Sequence, residues 1–177
     1  MAALLALGPR YVPTYLVWFV IITIIGGPLL EEPGWRGFAL PRLQPRRGPL
    51  LGTLILGLLW GLRHLPEFLV PAWVKSSGGS GFLDIVKFVV IAIAFAVVIT
   101  WVFNNTKGSV LMAVLVHASI DTLKMPMATL FSPSAMATSI LVSYGALALM
   151  IVALTRGRLG YQHYRQKKNP IRLRAPT

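Results

Sequence analysis

The sequence predicts an all-α fold, a polytopic membrane bundle of about five transmembrane helices. Charged residues make up only 12% of the 177 residues, about half of the roughly 25% that is typical of soluble domains. Hydrophobic residues make up 55% of the chain and the mean hydropathy is +0.70, which is more apolar than a water-wetted globule of this size. The composition therefore excludes a soluble enzyme, a disordered chain and, because there is no cysteine, a disulfide-stapled secreted domain.

The first two predicted spans are separated by an arginine-rich interval. The first span covers 11–30, which is apolar apart from threonines, prolines and two glycines, and its helix is expected to continue to residue 40. The polar interval at 31–48 contains four arginines. The second span covers 49–73, although ionisable residues interrupt it from Arg63 onward.

The other three predicted spans are bounded by turn residues. A loop rich in Gly and Ser precedes the third span, 82–103, and a short Asn/Gly turn leads to the fourth, 109–125. The fifth span lies at 134–155. The chain is thus expected to comprise a transmembrane core at 1–155 and a basic polar tail at 156–177.

The excess of cations fits a membrane protein better than a nucleic-acid-binding protein. The chain has 17 Lys and Arg residues against 5 Asp and Glu residues, a net charge of +12. Seven of these cations lie in the tail, which contains no acid. If the tail is cytoplasmic, the alternation of spans places most of the other loop cations there as well, as the positive-inside rule requires. The sequence therefore predicts a multi-pass cell-membrane protein with a cytoplasmic C-terminus, whose partner is the lipid bilayer and not a nucleic acid.

The same alternation places the N-terminus outside. Residues 1–8 are apolar but lack the basic segment with which a signal peptide begins. A first helix with an outward N-terminus is permitted, and a missing upstream span would explain the arrangement equally well. We therefore expect a bundle that either starts outside or lacks an upstream helix.

Several ionisable residues fall within the predicted spans, where they are costly and usually mark a functional interior. At a rise of 1.5 Å per residue, Glu31 and Glu32 would lie roughly 12–14 Å above the inner end of the first span. His64 would lie about 22 Å from the same surface, His117 about 14 Å and Asp121 about 20 Å. Three helices are therefore expected to bring Glu, His and Asp side chains to a common layer near the middle of the membrane.

The spacing of these residues within each helix supports this layer. Glu32 and Arg36 are four residues apart, so they can pair on one helix face and lower the cost of burial. His117 and Asp121 have the same spacing and can point into one cavity. Trp60 lies one turn before the histidine of the second span and can form a wall of that cavity.

Three short motifs on separate spans carry a resemblance to a known family. They are Glu31-Glu32-x-x-x-Arg36, Trp60-x-x-x-His64 and His117-x-x-x-Asp121. In this order they resemble the signature of the CPBP family, the CAAX-protease and bacteriocin-processing intramembrane endopeptidases that are also called the Abi family. The flanking residues are similar to the bacterial branch of the family, and the resemblance covers about 28–122.

Two positions depart from the family's pattern. Trp60 stands where the family usually has Phe, and Asp121 occupies a position where the family has Asn or Asp. If this last position stabilises an oxyanion, an Asp must be protonated there or act through a bound water or cation. The chain is also shorter than the family's usual membrane core, which agrees with a missing upstream span.

The resemblance implies hydrolysis of a peptide bond by a water molecule that a carboxylate activates. It assigns Glu31 as the general base and His64 as the residue that holds the water. Two pairs complete the implied site, namely His117 and Asp121 on the oxyanion side and Glu32 and Arg36 as ordering residues. The implied substrate is a prenylated CAAX-like tail, a bacteriocin leader or another membrane-bound peptide.

A metal ion is left open by the same residues. Members of the family have been described as metalloproteases, and Glu31, His64 and His117 are residue types that hold Zn²⁺. A carboxylate base that acts without metal is equally compatible with them. The chain lacks the His-Glu-x-x-His helix that would indicate zinc strongly.

Three ionisable features outside these motifs are given structural interpretations. Arg63 is expected to reach the membrane surface or to pair with Glu67. Asp84 and Lys87, three residues apart, are expected to form a surface pair, and the histidine of the basic tail is expected to be solvated.

The leading functional interpretation is an intramembrane endopeptidase with a cavity accessible from the cytoplasm. One alternative is a non-catalytic bacteriocin-immunity or scaffold protein on the same fold. Another is a small metal or ion transporter, which would use intramembrane Glu and His residues as ligands. The sequence does not determine the substrate or the oligomeric state.

Overall fold

The computed structural model describes residues 8–128 and 130–168, and within them the fold is an all-α helical bundle without strands. The predicted fold class, an all-α membrane bundle, is thereby confirmed. Residues 1–7 of the predicted outward N-terminus and the last part of the predicted tail, with Arg172 and Arg174, lie outside the described residues.

The first part of the chain is one long helical segment with a bend and a change of helix type. Helix α1 spans Gly8–Ile25, and the bend of 42° follows at Gly26 and Gly27, before α2 at Pro28–Glu32. Gly27 has a φ of 111°, which a residue with a Cβ rarely adopts.

A π-helix at Pro33–Ala39 follows α2, and α3 at Leu40–Arg47 completes the segment. Proline has no N–H to donate, so Pro33 interrupts the regular α-helical hydrogen bonding at the point where the wider helix begins. Helical structure therefore reaches residue 40, as the sequence predicts, but through a π-helix, and it continues beyond the predicted end to Arg47.

The second apolar stretch is helical only in its first part. Helix α4 spans Pro49–Arg63 and is followed by a 3₁₀-helix at Leu65–Leu69 and by α5 at Pro71–Ser77. A proline at position 66 disfavours the α conformation of the residue before it. The α-helix therefore does not continue through this position and ends at Arg63. The single helix expected at 49–73 is thus three short helices.

The rest of the described chain consists of α6 at Phe82–Asn105, α7 at Val110–Met127, α8 at Pro133–Thr155 and α9 at Tyr161–Lys168. Two helices in the described ranges, α6 and α8, are long and apolar enough to cross a membrane, and the bent segment from α1 to α3 can count as a third. The expectation of about five spans stays a prediction.

Helix α6 lies at the centre of the bundle and packs against α4 on one side and α8 on the other. Its buried side chains, with those of α4 and α7, form a core that includes Trp60, Phe95 and Ile99. The outward faces are also apolar, since Leu149 and Leu154 of α8 are 73% and 77% exposed. Soluble proteins rarely expose such continuous apolar surface, and the surface therefore fits contact with lipid.

A buried amide pair joins the C-terminal ends of α3 and α6. Gln44 Nε2 donates to Asn104 Oδ1 at 3.1 Å, and Asn104 Nδ2 donates to Gln44 Oε1 at 2.8 Å. The same Asn104 nitrogen donates to the carbonyl oxygen of Leu159 at 2.9 Å. These bonds attach the segment after α8 to the bundle.

Candidate active site

A cavity of about 610 Å³ lies between α4, α6, α7 and the first turns of α8. Four of the six predicted site residues line it: Glu31, His64, His117 and Asp121. The other two, Glu32 and Arg36, are fully buried behind its wall. The structure thus brings the predicted residues from three separate helical segments to one cavity.

Both oxygens of the Glu31 carboxylate accept hydrogen bonds from α4. Trp60 Nε1 donates to Oε2 at 2.8 Å, and Arg63 Nη1 donates to Oε1 at 3.0 Å. The Arg63 guanidinium bonds to Glu31 and not to Glu67, so the predicted pair with Glu67 is wrong, whereas the alternative that Arg63 reaches the membrane surface stays a prediction, since 49% of its side chain is exposed. These two donors fix the direction in which the carboxylate points.

Glu32, Arg36 and His117 form a buried polar group behind the cavity. Glu32 Oε1 accepts from Arg36 Nη1 and from His117 Nδ1, each at 2.8 Å. The Glu32 and Arg36 side chains are 0% exposed. The predicted pairing of Glu32 with Arg36 on one helix face is observed, and the bond to His117 adds a contact between the π-helix segment and α7.

The buried group continues from His117 to the cavity wall. His117 Nε2 lies 3.3 Å from Asp121 Oδ2, and Lys124 Nζ donates to Asp121 Oδ1 at 2.6 Å. A histidine ring that donates from both nitrogens satisfies both of its carboxylate partners. The result is a continuous row in which basic and acidic side chains alternate: Arg36, Glu32, His117, Asp121 and Lys124.

The orientation of His64 is set by the backbone of its own helix. His64 Nδ1 lies 2.8 Å from the carbonyl oxygen of Trp60, and because a carbonyl can only accept, Nδ1 is the donor. In the neutral ring, Nε2 then carries the lone pair. The ring packs near Trp73 and Phe88, with centroid distances of 6.2 and 5.4 Å. One nitrogen of His64 is therefore left for contacts in the cavity.

The three residues considered as zinc ligands are not arranged as a metal site. In the described ranges, no group of three or more His, Asp or Glu side chains is placed to hold a metal ion. Both nitrogens of His117 face carboxylates, and a nitrogen that donates to a carboxylate has no lone pair for a metal ion. Because Glu31, His64 and His117 do not fit a shared ion as they stand, no reaction step is derived through a metal.

Two residues of the site, Arg63 and Lys124, were not among the predicted site residues. Lys124 could have been found because it lies three residues after Asp121 on one helix, where side chains meet. Arg63 could not be assigned to Glu31 by spacing, since 32 positions separate them.

Three other ionisable residues, Asp84, Lys87 and His163, are placed as the sequence suggests or close to it. The expected pair of Asp84 and Lys87 is observed at 3.8 Å, and both residues line the cavity. His163 is exposed as predicted, and its Nδ1 lies 2.8 Å from Asn105 Oδ1.

Comparison with known proteins gives one family. The family described as type II CAAX prenyl endopeptidase Rce1-like matches residues 13–123, a range that contains all six predicted site residues. A curated relative, CAAX prenyl protease 2 of Methanococcus maripaludis, is 24% identical over 103 residues, which are 58% of this chain and 38% of that protein. The chain thus spans well under half of that relative's length. No solved structure matches the chain significantly.

Proposed function

The chain belongs to the Rce1-like family of type II CAAX prenyl endopeptidases, and on this premise we propose that it hydrolyses a peptide bond within a membrane-associated peptide. One observation carries the proposal. Glu31, His64 and the pair of His117 with Asp121 come from three helical segments and line a single cavity. Hydrolysis by an activated water requires a base, a group that positions the water and a donor to the oxyanion. Glu31, His64 and His117 are residue types that can fill these three roles.

In the proposed mechanism, Glu31 is the general base. Each carboxylate oxygen has two acceptor positions, so the bonds from Trp60 and Arg63 leave room for a hydrogen bond from a water molecule. Glu31 takes a proton from this water as the water oxygen bonds to the scissile carbonyl carbon. The C–N bond then breaks, and the proton passes to the leaving amine.

His64 is proposed to position the same water. The bond from Nδ1 to the carbonyl of Trp60 leaves Nε2 as an acceptor for the second hydrogen of the water. His64 and Trp60 are on the same helix, and Trp60 also holds Glu31. One helix end thereby aligns the two groups that contact the water.

His117 and Asp121 are proposed to line the oxyanion side, with His117 as the donor. Asp121 lines the cavity and Glu32 does not, so His117 Nε2 is on the cavity side of the ring. The N–H at this nitrogen, which lies 3.3 Å from Asp121 Oδ2, is proposed to be shared with the substrate's carbonyl oxygen, where it favours the negative charge that develops. Arg36 and Glu32 hold the ring from behind through Nδ1.

The test is cleavage of membrane-peptide substrates by the purified protein and by its Glu31→Gln variant. The peptide set includes prenylated CAAX-like tails and leader peptides. Glu31→Gln keeps the size of the side chain but removes the base, so cleavage should fall by about 100-fold to 10,000-fold. The matched control is Glu67→Gln, which removes another carboxylate that lines the same cavity and should retain cleavage. Full activity of Glu31→Gln in a folded protein would disprove the general-base role.

A strong chelator provides an independent readout in the same assay. Cleavage that is unaffected by the chelator supports a carboxylate base acting directly on water. Cleavage that is lost, and restored by Zn²⁺, would assign the water to a metal and require Glu31, His64 and His117 to rearrange. If the wild-type protein cleaves none of the peptides, the non-catalytic scaffold interpretation is favoured.

A further inference from the structure

A second cavity, of about 490 Å³, lies at the other end of α6 from the candidate active site. Asp84 and Phe88, near the start of α6, line the active-site cavity, whereas Trp101 and Asn105, near its end, line the second one. The two cavities share no lining residue. The volume of the second cavity is within the roughly 300–1,000 Å³ of pockets that bind small molecules.

The ionisable side chains that line this second cavity are all basic: Arg156, Arg158 and His163. We call the cavity they line the basic pocket. Arg156 and Arg158 are exposed, and neither guanidinium has an ion pair or a hydrogen bond with another residue of 8–128 or 130–168. Like charges that line one pocket repel each other, so an anion placed between them is attracted to both.

The acidic side chains of this chain are all at the other cavity. The sequence has five Asp and Glu residues in total. Four of them, Glu31, Glu67, Asp84 and Asp121, line the candidate active site, and the fifth, Glu32, is buried behind its wall. No acidic side chain is therefore left to neutralise the basic pocket, and the counter-charge has to come from another molecule.

The turn that carries these cations is fixed to the end of α6. The carbonyl of Leu159 accepts a hydrogen bond from Asn104. The Asn105 amide nitrogen donates to a carbonyl of α6, so its Oδ1 accepts from His163 Nδ1 at 2.8 Å. Gly160 has a φ of 70°, and a Cβ there would collide with the Asn105 side chain. The pocket is thus shaped before a ligand binds, which lowers the cost of ordering it.

The basic pocket lies where two helices that can cross a membrane end side by side. Helix α6 ends at Asn105 and α8 at Thr155, and both residues line the pocket. Two apolar residues line it as well, Trp101 and Leu154, which are 39% and 77% exposed. Trp is enriched at the level of lipid headgroups, and an exposed Leu on a spanning helix suits contact with acyl chains. The pocket therefore combines cations with lipid-facing side chains at the border of the hydrocarbon core.

We propose that the basic pocket binds the phosphate group of an anionic phospholipid, with Arg156 and Arg158 as the phosphate ligands and Leu154 against an acyl chain. A guanidinium donates two parallel hydrogen bonds to phosphate oxygens, which makes arginine well suited to this group. A soluble phosphate compound would use the same cations but would gain nothing from Leu154. The site is independent of peptide cleavage and therefore stands or falls separately from the proposed function.

The test is lipid binding to the purified full chain in a neutral detergent, measured by native mass spectrometry. Phosphatidylglycerol should bind more tightly than phosphatidylcholine, in which the choline cation cancels the charge of the phosphate. Arg156→Gln/Arg158→Gln should weaken the binding of phosphatidylglycerol by about 25-fold, or about fivefold for each cation. Unchanged binding of phosphatidylglycerol by this variant would overturn the proposal.

The matched control is Arg46→Gln/Arg47→Gln, which removes the same charge from exposed positions of α3 outside the pocket. This variant should keep the affinity of the wild-type protein for phosphatidylglycerol. An equal loss in both double variants would mean that the lipid is attracted by the overall positive charge, and the basic pocket would then not be a binding site.

Competition separates a lipid from other sources of phosphate. Inorganic phosphate and a short DNA duplex should each displace phosphatidylglycerol poorly, because neither has an acyl chain for Leu154 to contact. Displacement by inorganic phosphate at the concentration at which the lipid itself competes would assign the pocket to a soluble phosphate compound. Tighter binding of the duplex than of the lipid, lost in the pocket variant, would assign it to a nucleic acid. Either result would overturn the lipid site.

Thermal unfolding without added lipid shows whether a loss of binding is a loss of fold. Arg156 has a φ of 50°, so a replacement there can strain the turn. If the double variant unfolds at a lower temperature than wild type, Arg158→Glu replaces it, because it reverses one exposed charge and keeps Arg156. A folded Arg158→Glu should lose the preference for phosphatidylglycerol over phosphatidylcholine, and retention of that preference would overturn the proposal.

Discussion

Trp60 lies between Glu31 and the buried group formed by Glu32, Arg36 and His117, and it contacts both. Its N–H donates to Glu31, while its ring lies 5.2 Å from the Arg36 guanidinium carbon and 5.1 Å from the His117 ring centroid. A cation above an aromatic face is attracted by the ring's quadrupole. The family's usual Phe would supply the ring but no N–H donor, so the departure at this position adds a hydrogen bond to the proposed base.

Arg36 has the largest expected effect on stability of any residue in the site. Its guanidinium is completely buried, and of its nitrogens Nε and Nη2 have no hydrogen-bond partner among the described residues. Arg36→Met removes the counter-charge of Glu32, and breaking a buried pair in this way costs about 3–5 kcal/mol of unfolding free energy. Arg42→Met, at an exposed arginine six residues later, should change the unfolding free energy little.

Thermal unfolding in detergent measures both Arg36 and Arg42 variants. The double variant Glu32→Gln/Arg36→Met should recover part of the loss, because no unpaired charge is left in the interior. An unfolding temperature of Arg36→Met equal to that of wild type would show that the pair does not stabilise the fold.

Asp121 is expected to act as a hydrogen-bond acceptor and not as a proton donor. Asp121→Asn keeps an oxygen that can accept from His117 Nε2, so cleavage should stay within about tenfold of wild type. Asp121→Leu leaves His117 and Lys124 without this acceptor, and cleavage should fall by about 100-fold. Initial cleavage rates of the two variants give the comparison. Equal losses would mean that the negative charge itself is required.

Spacing along one helix predicted the local pairs at the residue scale but not the contacts between helices. Glu32 with Arg36 and His117 with Asp121 follow from one turn of helix, so the sequence alone suffices. The depth estimate placed these pairs in one layer, yet depth does not give the rotation of a helix about its axis. The bond from Glu32 to His117, across 85 positions, therefore needed the folded structure.

At the scale of elements, two glycines bring α4 close to α6. Gly57 and Gly61 are four residues apart on one face of α4, the spacing with which small residues allow membrane helices to approach closely. A Cβ at Gly57 would lie 2.8 Å from Ile93 Cα and 2.9 Å from Ala96 Cβ. No side chain fits there unless the helices move apart.

Gly57→Ala should therefore destabilise the bundle by about 1–3 kcal/mol, the usual cost of forcing extra atoms into a packed interior. It should also reduce cleavage, because α4 supplies both donors to Glu31. The matched control is Gly145→Ala on α8, where a Cβ would meet nothing within 4 Å. Unfolding temperature and cleavage rate are measured for both variants, and identical behaviour would contradict tight packing at Gly57.

Local sequence signals predicted the helical elements well and their irregularities less well. Pro33 and Gly34 indicate a disturbed helix after the two glutamates, but they do not distinguish a bend from a π-helix. The bend of 42° comes earlier, at Gly26 and Gly27, where Gly27 has a positive φ. In the second stretch, the apolar composition predicts one helix to residue 73, whereas the α-helix ends at Arg63, before Pro66.

At the scale of the whole molecule, the end of the bundle where α3 and α6 finish is held together by bonds that do not involve the cavity. Asn104→Ala removes three hydrogen bonds and leaves Gln44 and the carbonyl of Leu159 buried without their partner. The segment after α8 should then detach more readily, and trypsin should cut faster after Arg156 and Arg158. Cleavage of membrane peptides should be retained, because the cavity is at the other end of α6.

Gln162→Ala, at an exposed position of α9, serves as the control for tryptic sensitivity. Limited proteolysis followed by mass spectrometry reports which bonds are cut in each variant. A loss of peptide cleavage in Asn104→Ala with unchanged proteolysis would show that the two ends of the bundle are coupled.

The distribution of counter-ions also bears on how the protein enters the bilayer. Glu32 has Arg36, Asp84 has Lys87 and Asp121 has Lys124, each within its own helical segment and three or four residues away. Such pairs lower the cost of bringing charges into lipid. Each of these three carboxylates can thus enter the bilayer with a counter-charge from its own segment.

Glu31 is different, since the Arg63 and Trp60 that bond to it come from a helix synthesised later. The proposed base therefore acquires its partners only when inserted helices associate. Membrane insertion and the assembly of a working site are consequently two separate steps in the biogenesis of this protein.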